Sequence, residues 1–279
     1  MPPLSLHHLT MIDAHPADLV EAAAAGGFDH CGIRLVAPRP GDPLVPIVGD
    51  ATAVRAVERR LRDTGVRLLD IEAIWLAPDT DVQALRPAVE TGARLGARFV
   101  LVVGFDSDRP RLVANLAALC ALAGSCGMRV MVEFITYSTI PTADAALSLI
   151  RDSGTDAGVL IDTLQFFRSG GSPEALSAFD PNLFSYMQLC DAPRQAPPDV
   201  EGLRREARGA RRLPGEGELP VDALLERLPT GIPLSLEAPG TRLAGLPLHE
   251  QGRLAGAAVR RFLATLPHQH SLRHEDFQP

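Results

Sequence analysis

Short apolar runs recur along the chain, separated for the most part by segments with helical spacing. The runs at 4–10, 30–35, 66–71, 99–103, 129–134, 158–161, 183–189 and 232–236 are rich in Val, Ile and Leu. That is the pattern of strands buried on both faces. The segments 16–25, 51–63, 82–95, 109–123, 142–151, 173–178, 221–228 and 249–263 predict helices. In the second of these Val54, Val57 and Leu61 fall on one face, and Gly65 follows as a stop. Eight strands thus alternate with eight helices at a repeat of about 30 residues, the size of a βα unit. No linker or shift in composition interrupts them. The expectation is one α/β domain over 1–266, a single (β/α)8 TIM barrel, with a polar C-terminal tail at 267–279. An open doubly wound sheet is the competitor, but no G-x-G-x-x-G follows the first strand.

Four of the runs end on a side chain carrying oxygen. They are Met131-Val132-Glu133, Leu160-Ile161-Asp162, Tyr186-Met187-Gln188 and Leu234-Ser235-Leu236-Glu237. In a barrel these ends lie on consecutive strands at the C-terminal mouth, where active sites are built. A buried carboxylate is costly without a compensating charge, and three in one quadrant repel unless a cation lies between them. Three carboxylates and an amide oxygen suit one divalent ion of the Mn²⁺, Mg²⁺ or Co²⁺ kind. Glu133 and Glu237 would then double as catalytic carboxylates that take a proton from carbon.

Composition narrows the field. The chain has 279 residues, 46% of them hydrophobic, and a net charge of −7. Such a charge argues against binding nucleic acid through its phosphates and against an anionic membrane as partner. No apolar run reaches the roughly 18 residues of a membrane span. Met1-Pro2-Pro3-Leu4 has no basic region ahead of an apolar one. The cysteines Cys31, Cys120, Cys126 and Cys190 form no C-x-x-C pair. Reduced thiols in a cytoplasmic protein are expected. All 27 basic residues are arginine. Schiff-base aldolases, pyridoxal phosphate enzymes and P-loop proteins, which need a lysine amine, are therefore excluded. The chain also lacks G-x-S-x-G and H-E-x-x-H.

On these features the chain resembles the xylose-isomerase-like TIM barrels, the sugar phosphate isomerases/epimerases, over nearly its whole length. The resemblance implies metal ligands from strands five to eight, commonly Glu, Asp, His and Glu. Glu133, Asp162 and Glu237 match three, and Gln188 stands in place of the histidine. Gln188-Leu189-Cys190-Asp191-Ala192-Pro193 is similar to the Q-L-x-D-A-P of a branch that resembles 3-dehydroshikimate dehydratase. The run from Arg208 through Arg211 to Pro214-Gly215-Glu216-Gly217 is similar to its R-x-x-R-x-x-P-G-x-G loop. Gln165 departs from the family's D-x-x-H, which places a histidine there.

Further candidates for substrate binding are Arg34 and Glu72 at the ends of strands two and three, and Gln165 just beyond Asp162. His8 on strand one and Arg208 and Arg211 after strand seven complete the set. Each has a plainer role: an Arg34–Glu72 salt bridge, a structural histidine, a solvated charged helix around Arg204–Arg208. Trp75, the single tryptophan, is either a pocket wall or core. The leading expectation is a metal-dependent isomerase or epimerase acting on a small polyhydroxylated ketone or sugar, with a homo-oligomer allowed. A dehydratase of a cyclic hydroxy-ketone, dehydroshikimate-like or inosose-like, is the alternative, and a non-catalytic binding barrel a further one. A nuclease resembling endonuclease IV would need a histidine-rich cluster, and no histidine lies between His30 and His249.

Overall fold

The computed structural model describes residues 1–266. The predicted tail at 267–279 lies outside the described residues. Eight parallel strands pair in sequence order and close into a barrel, β8 returning to β1. They are β1 Leu4–Leu6, β2 His30–Arg34, β3 Arg67–Leu76, β4 Phe99–Gly104, β5 Arg129–Glu133, β6 Gly158–Asp162, β7 Met187–Leu189 and β8 Leu234–Leu236. Among the described residues the helices around them are α1 Pro16–Ala25, α2 Ala51–Thr64, α3 Arg86–Arg94, α4 Arg109–Ser125, α5 Ala143–Ser153, α6 Thr163–Arg168, α7 Val200–Gly209, α8 Val221–Leu225 and α9 Leu248–Thr265.

Two apolar layers divide the work. The main core lies between strands and helices and includes Leu6, Ile33, Val132 and Leu236. A smaller cluster fills part of the barrel interior with Leu69, Phe99, Leu101, Met131, Leu160 and Tyr186. Strand alternation generates both. Gly252 and Gly256 bring α9 against α1: a Cβ at either would run into the carbonyl of Ala22 or Gly26.

Several expectations change in detail. β1 ends at Leu6, and His8–Met11 turn into a 3-10 helix instead of continuing the strand. The cause is local: the His7 N–H still donates to Leu236 O, while Thr10 N–H turns back to His7 O. β3 runs on to Leu76, which puts Glu72 within the strand and Trp75 near its end. The seventh strand starts at Met187, because 181–183 form a 3-10 turn capped by Asp180. α6 follows β6 without a loop, ahead of a 3-10 turn at Pro173–Ala178 where a helix was expected. α7 forms after β7, over the charged run around Arg204–Arg208.

Candidate metal centre at the barrel mouth

The C-terminal ends of β5, β6 and β8 bring Glu133, Asp162 and Glu237 together. One carboxylate oxygen from each lies within 4.8 Å of the others. Asp162 ends β6 and also caps α6, its Oδ1 accepting from Gln165 N–H at 2.9 Å. Its Oδ2 accepts from Arg211 Nη1 at 2.6 Å. The same nitrogen lies 3.5 Å from Glu237 Oε2. Arg211 is held from behind by its Nε donating to Ala207 O at 2.8 Å. Burial works against its charge, but Asp162 and Glu237 outweigh burial and raise its pKa well above the ordinary value. Burial, with Asp162 next, holds Glu133 well above the usual carboxylate range. Burial does the same to Glu237, against the pull of Arg211.

Gln188 on β7 is the register partner of Asp162 and lines the same cavity. With the His7 proton on Nδ1, Gln188 Nε2 donates to His7 Nε2 at 3.0 Å. Its Oε1 is then buried with no hydrogen-bond partner among the described residues, and so is Glu237 Oε2. Buried oxygens without partners beside three clustered carboxylates fit a hard divalent cation. The chain's own guanidinium compensates only part of the negative charge. Glu133, Asp162, Gln188 and Glu237 are the residues that would hold such an ion.

The cavity above these residues has a volume of about 210 Å³. Arg34, Glu72, Gln165, Arg208 and Arg211 all line it. Arg34 Nη2 donates to Glu72 Oε2 at 3.2 Å, while Leu9 N–H donates to Glu72 Oε1 at 3.1 Å. Arg34 Nε has no partner among the described residues. Facing these charged groups is an apolar wall of Trp75, Leu101, Val103 and Ile135. The rim is aromatic and cationic. Trp75 stacks on Phe105 with centroids 3.9 Å apart, and the Arg39 and Arg208 guanidinium carbons lie 5.3 and 5.7 Å from the Trp75 centroid. Asp42 accepts from Arg39 at 2.9 and 3.1 Å, and the loop carrying it roofs the cavity with Pro38 and Pro43.

His8 is not among the lining residues. Its Nε2 donates to Ala14 O at 3.0 Å and its Nδ1 accepts from Arg34 N–H at 2.9 Å. Both ring nitrogens are spent on backbone, and burial lowers its pKa to about 4. His7 faces the cavity instead, its Nδ1 3.3 Å from Glu72 Oε1 and 3.7 Å from Glu237 Oε1. Burial, then Arg34 and Arg211, keep its ring well below the ordinary pKa and so neutral. The missed signal was parity: Leu4 and Leu6 point to the main core, so Ser5 and His7 point inward.

The segment between β7 and α8, which includes α7, explains two sequence motifs. Asp191 Oδ2 accepts from Gly215 and Gly217 N–H, at 3.1 and 2.9 Å, and its Oδ1 from Leu219 N–H at 3.1 Å. Gly215 has φ +80°, and a Cβ on Gly217 would run into Asp191. The pairing of Asp191 with Arg212 by both backbone bonds places Arg211 at the carboxylates.

A closed eight-stranded barrel whose mouth gathers three carboxylates able to hold a metal ion defines a (β/α)8 protein with a candidate metal centre. A sequence model of the xylose isomerase-like TIM barrel family matches residues 20–264, and the chain belongs to that family. No curated protein sequence shows significant similarity to it. Among solved structures it is similar to one described as the IOLI protein with a binding zinc atom: 17% identity, TM-score 0.77, covering 96% of this chain and 100% of that one. An L-ribulose 3-epimerase gives 18% identity and TM-score 0.70 over 100% of both chains. A fusion of a xylose isomerase-like TIM barrel with 4-hydroxyphenylpyruvate dioxygenase gives 22% identity and TM-score 0.75, covering 92% of this chain. The chain spans 42% of that fusion's length. Among the described residues no helix is long and apolar enough to cross a membrane.

Proposed function

We propose that the protein is a divalent-metal-dependent isomerase or epimerase that enolises a small polyhydroxylated ketone or sugar. The observation that carries the reading is the ring of Glu133, Asp162 and Glu237 oxygens, with the unpartnered Gln188 Oε1 beside it. When bound there, a divalent ion supplies Lewis acidity that polarises a carbonyl and eases loss of the neighbouring proton. All-oxygen donors favour Mn²⁺, Mg²⁺ or Co²⁺; zinc belongs to the IOLI neighbour's description.

The chain's own groups divide the remaining tasks. Glu133 takes the proton from the α-carbon through a carboxylate oxygen, and Glu237 returns one from the other side of the ring. Arg211, fixed against Asp162, donates to the oxygen on which negative charge builds. Glu72, Arg34, Gln165 and Arg208 bind hydroxyl groups, and the apolar wall keeps water from the reacting carbon. Charge favours a neutral substrate. Asp42, Glu72, Glu133, Asp162 and Glu237 face Arg34, Arg39, Arg208 and Arg211 in and around the cavity, so one divalent cation leaves the set close to neutral. The epimerase names carried by similar structures agree with that class. We place the protein in the cytoplasm, where free cysteines stay reduced.

Solvent deuterium uptake tests the reading. With Mn²⁺ present, a panel of ketoses and cyclic hydroxy-ketones should include at least one that gains deuterium next to its carbonyl. Glu133→Gln should lose that exchange. No uptake in any compound would sink the enolisation claim. A new UV-absorbing enone would redirect it to the dehydratase alternative.

A further inference from the structure

Beneath the mouth, the barrel interior is not uniformly apolar. The bulky cluster comes from β3 to β6 together with the Tyr186 ring. In mid-barrel the inward positions of β8, β1 and β2 are Ser235, Ser5 and Gly32, while His30, the register partner of Ser5, and Arg34 share the inward face of β2 on either side of Gly32. Ser5 is the register partner of Ser235, and Gly32 that of Asp70. The Asp70 carboxyl lies over Gly32, where a Cβ would run into it. Its Oδ2 accepts from the Tyr186 hydroxyl at 3.3 Å.

Asp70 Oδ1, Ser5 Oγ and Ser235 Oγ are buried without a hydrogen-bond partner among the described residues. All three residues have 0% exposure. Barrel interiors are normally filled by layers of branched side chains. Here three polar atoms stand unpartnered in that interior, and leaving such atoms bare costs more than immobilising a water.

We propose that the barrel interior below the metal centre is a built water site, in which Asp70 Oδ1, Ser5 Oγ and Ser235 Oγ hold one or more ordered waters. Water suits the donor set: it needs two to four polar partners, and these residues supply that number. A metal cation would call on about six oxygens. The site stands independently of the proposed reaction. It lets Asp70 remain a hydrogen-bonded neutral acid beneath Glu72, in keeping with burial raising the Asp70 pKa to about 8.

An atomic-resolution crystal structure of the wild-type protein tests this. The expected result is a peak within hydrogen-bond distance of Asp70 Oδ1 and at least one of the two serine hydroxyls. Asp70→Asn should keep the peak and Asp70→Leu should lose it. In solution, slow-exchanging water should give cross-peaks to Ser5 or Gly32 protons in the wild type. Two results would overturn the proposal. One is no density, with a serine hydroxyl bonded directly to Asp70. The other is an anomalous signal at that point after a rubidium soak, which would make the occupant a cation.

Discussion

Arg211 places a positive charge among carboxylates that would otherwise repel, 2.6 Å from Asp162 and 3.5 Å from Glu237. Removing one member of a buried ion pair typically costs about 3–5 kcal/mol, because the other is left unpaired. Arg211→Met should therefore destabilise the metal-free protein by roughly that amount in urea titrations. Manganese should then raise its Tm by more than it raises the wild type's. Equal metal-induced shifts would mean that Arg211 does not share the cation's role. Asp70 gives a pH signature. Burial, then Glu72, raise its pKa to about 8 in the folded state, against an ordinary value of about 4. The stability from its neutral form is fully present below about pH 4 and is lost as pH rises through about 8. The groups facing it are Glu72 on its own strand and Tyr186 from across the barrel. Asp70→Asn stays neutral, so its stability relative to wild type should grow between pH 6 and pH 9. A difference that does not change with pH would show that Asp70 is already ionised. At this scale, the strand-end carboxylates could be read from the chain, since each closes an apolar run. His7 was hidden by its neighbour His8, and only strand parity separates them.

Helix α6 left no trace in the apolar pattern, and α7 showed only as a charged helix around Arg204–Arg208. α6 is six residues long, too short for a period to emerge. Its one cue is Asp162 acting as N-cap, a role shared with the metal centre. α7 carries few apolar residues, so its charges read as solvated surface. What anchors it is an ion pair. Arg168 donates to both Glu206 oxygens, at 2.8 and 2.7 Å, with both side chains buried. Since α7 supplies Ala207 O to Arg211 and carries Arg208 to the rim, this pair sets the geometry of one side of the cavity. Glu206→Ala should cost about 3–5 kcal/mol in denaturant unfolding. It should also weaken substrate binding, as a raised KM, more than it slows turnover. An unchanged stability would show that α7 is held by its other contacts. Pairings such as Arg168–Glu206 join residues far apart in sequence, and no local pattern encodes them.

For the whole molecule, the barrel was readable because its evidence is repetitive: eight apolar runs at similar spacing, with helices between. Errors at single boundaries, such as β1 ending early and β3 running long, did not disturb the order or closure of the strands. The convergence of Glu133, Asp162 and Glu237 follows from that closure, which makes distant strand ends neighbours. The internal arginine and the partly polar barrel interior depend on side-chain packing across strands, which periodicity does not carry. The central claim is that the acidic mouth binds one divalent cation through four oxygens. Crystals grown with manganese and measured at its absorption edge test it most directly. The account predicts a single anomalous peak per chain at about 2.1 Å from oxygens of Glu133, Asp162, Gln188 and Glu237. No peak at that point, with Arg211 alone bridging the carboxylates, would contradict it.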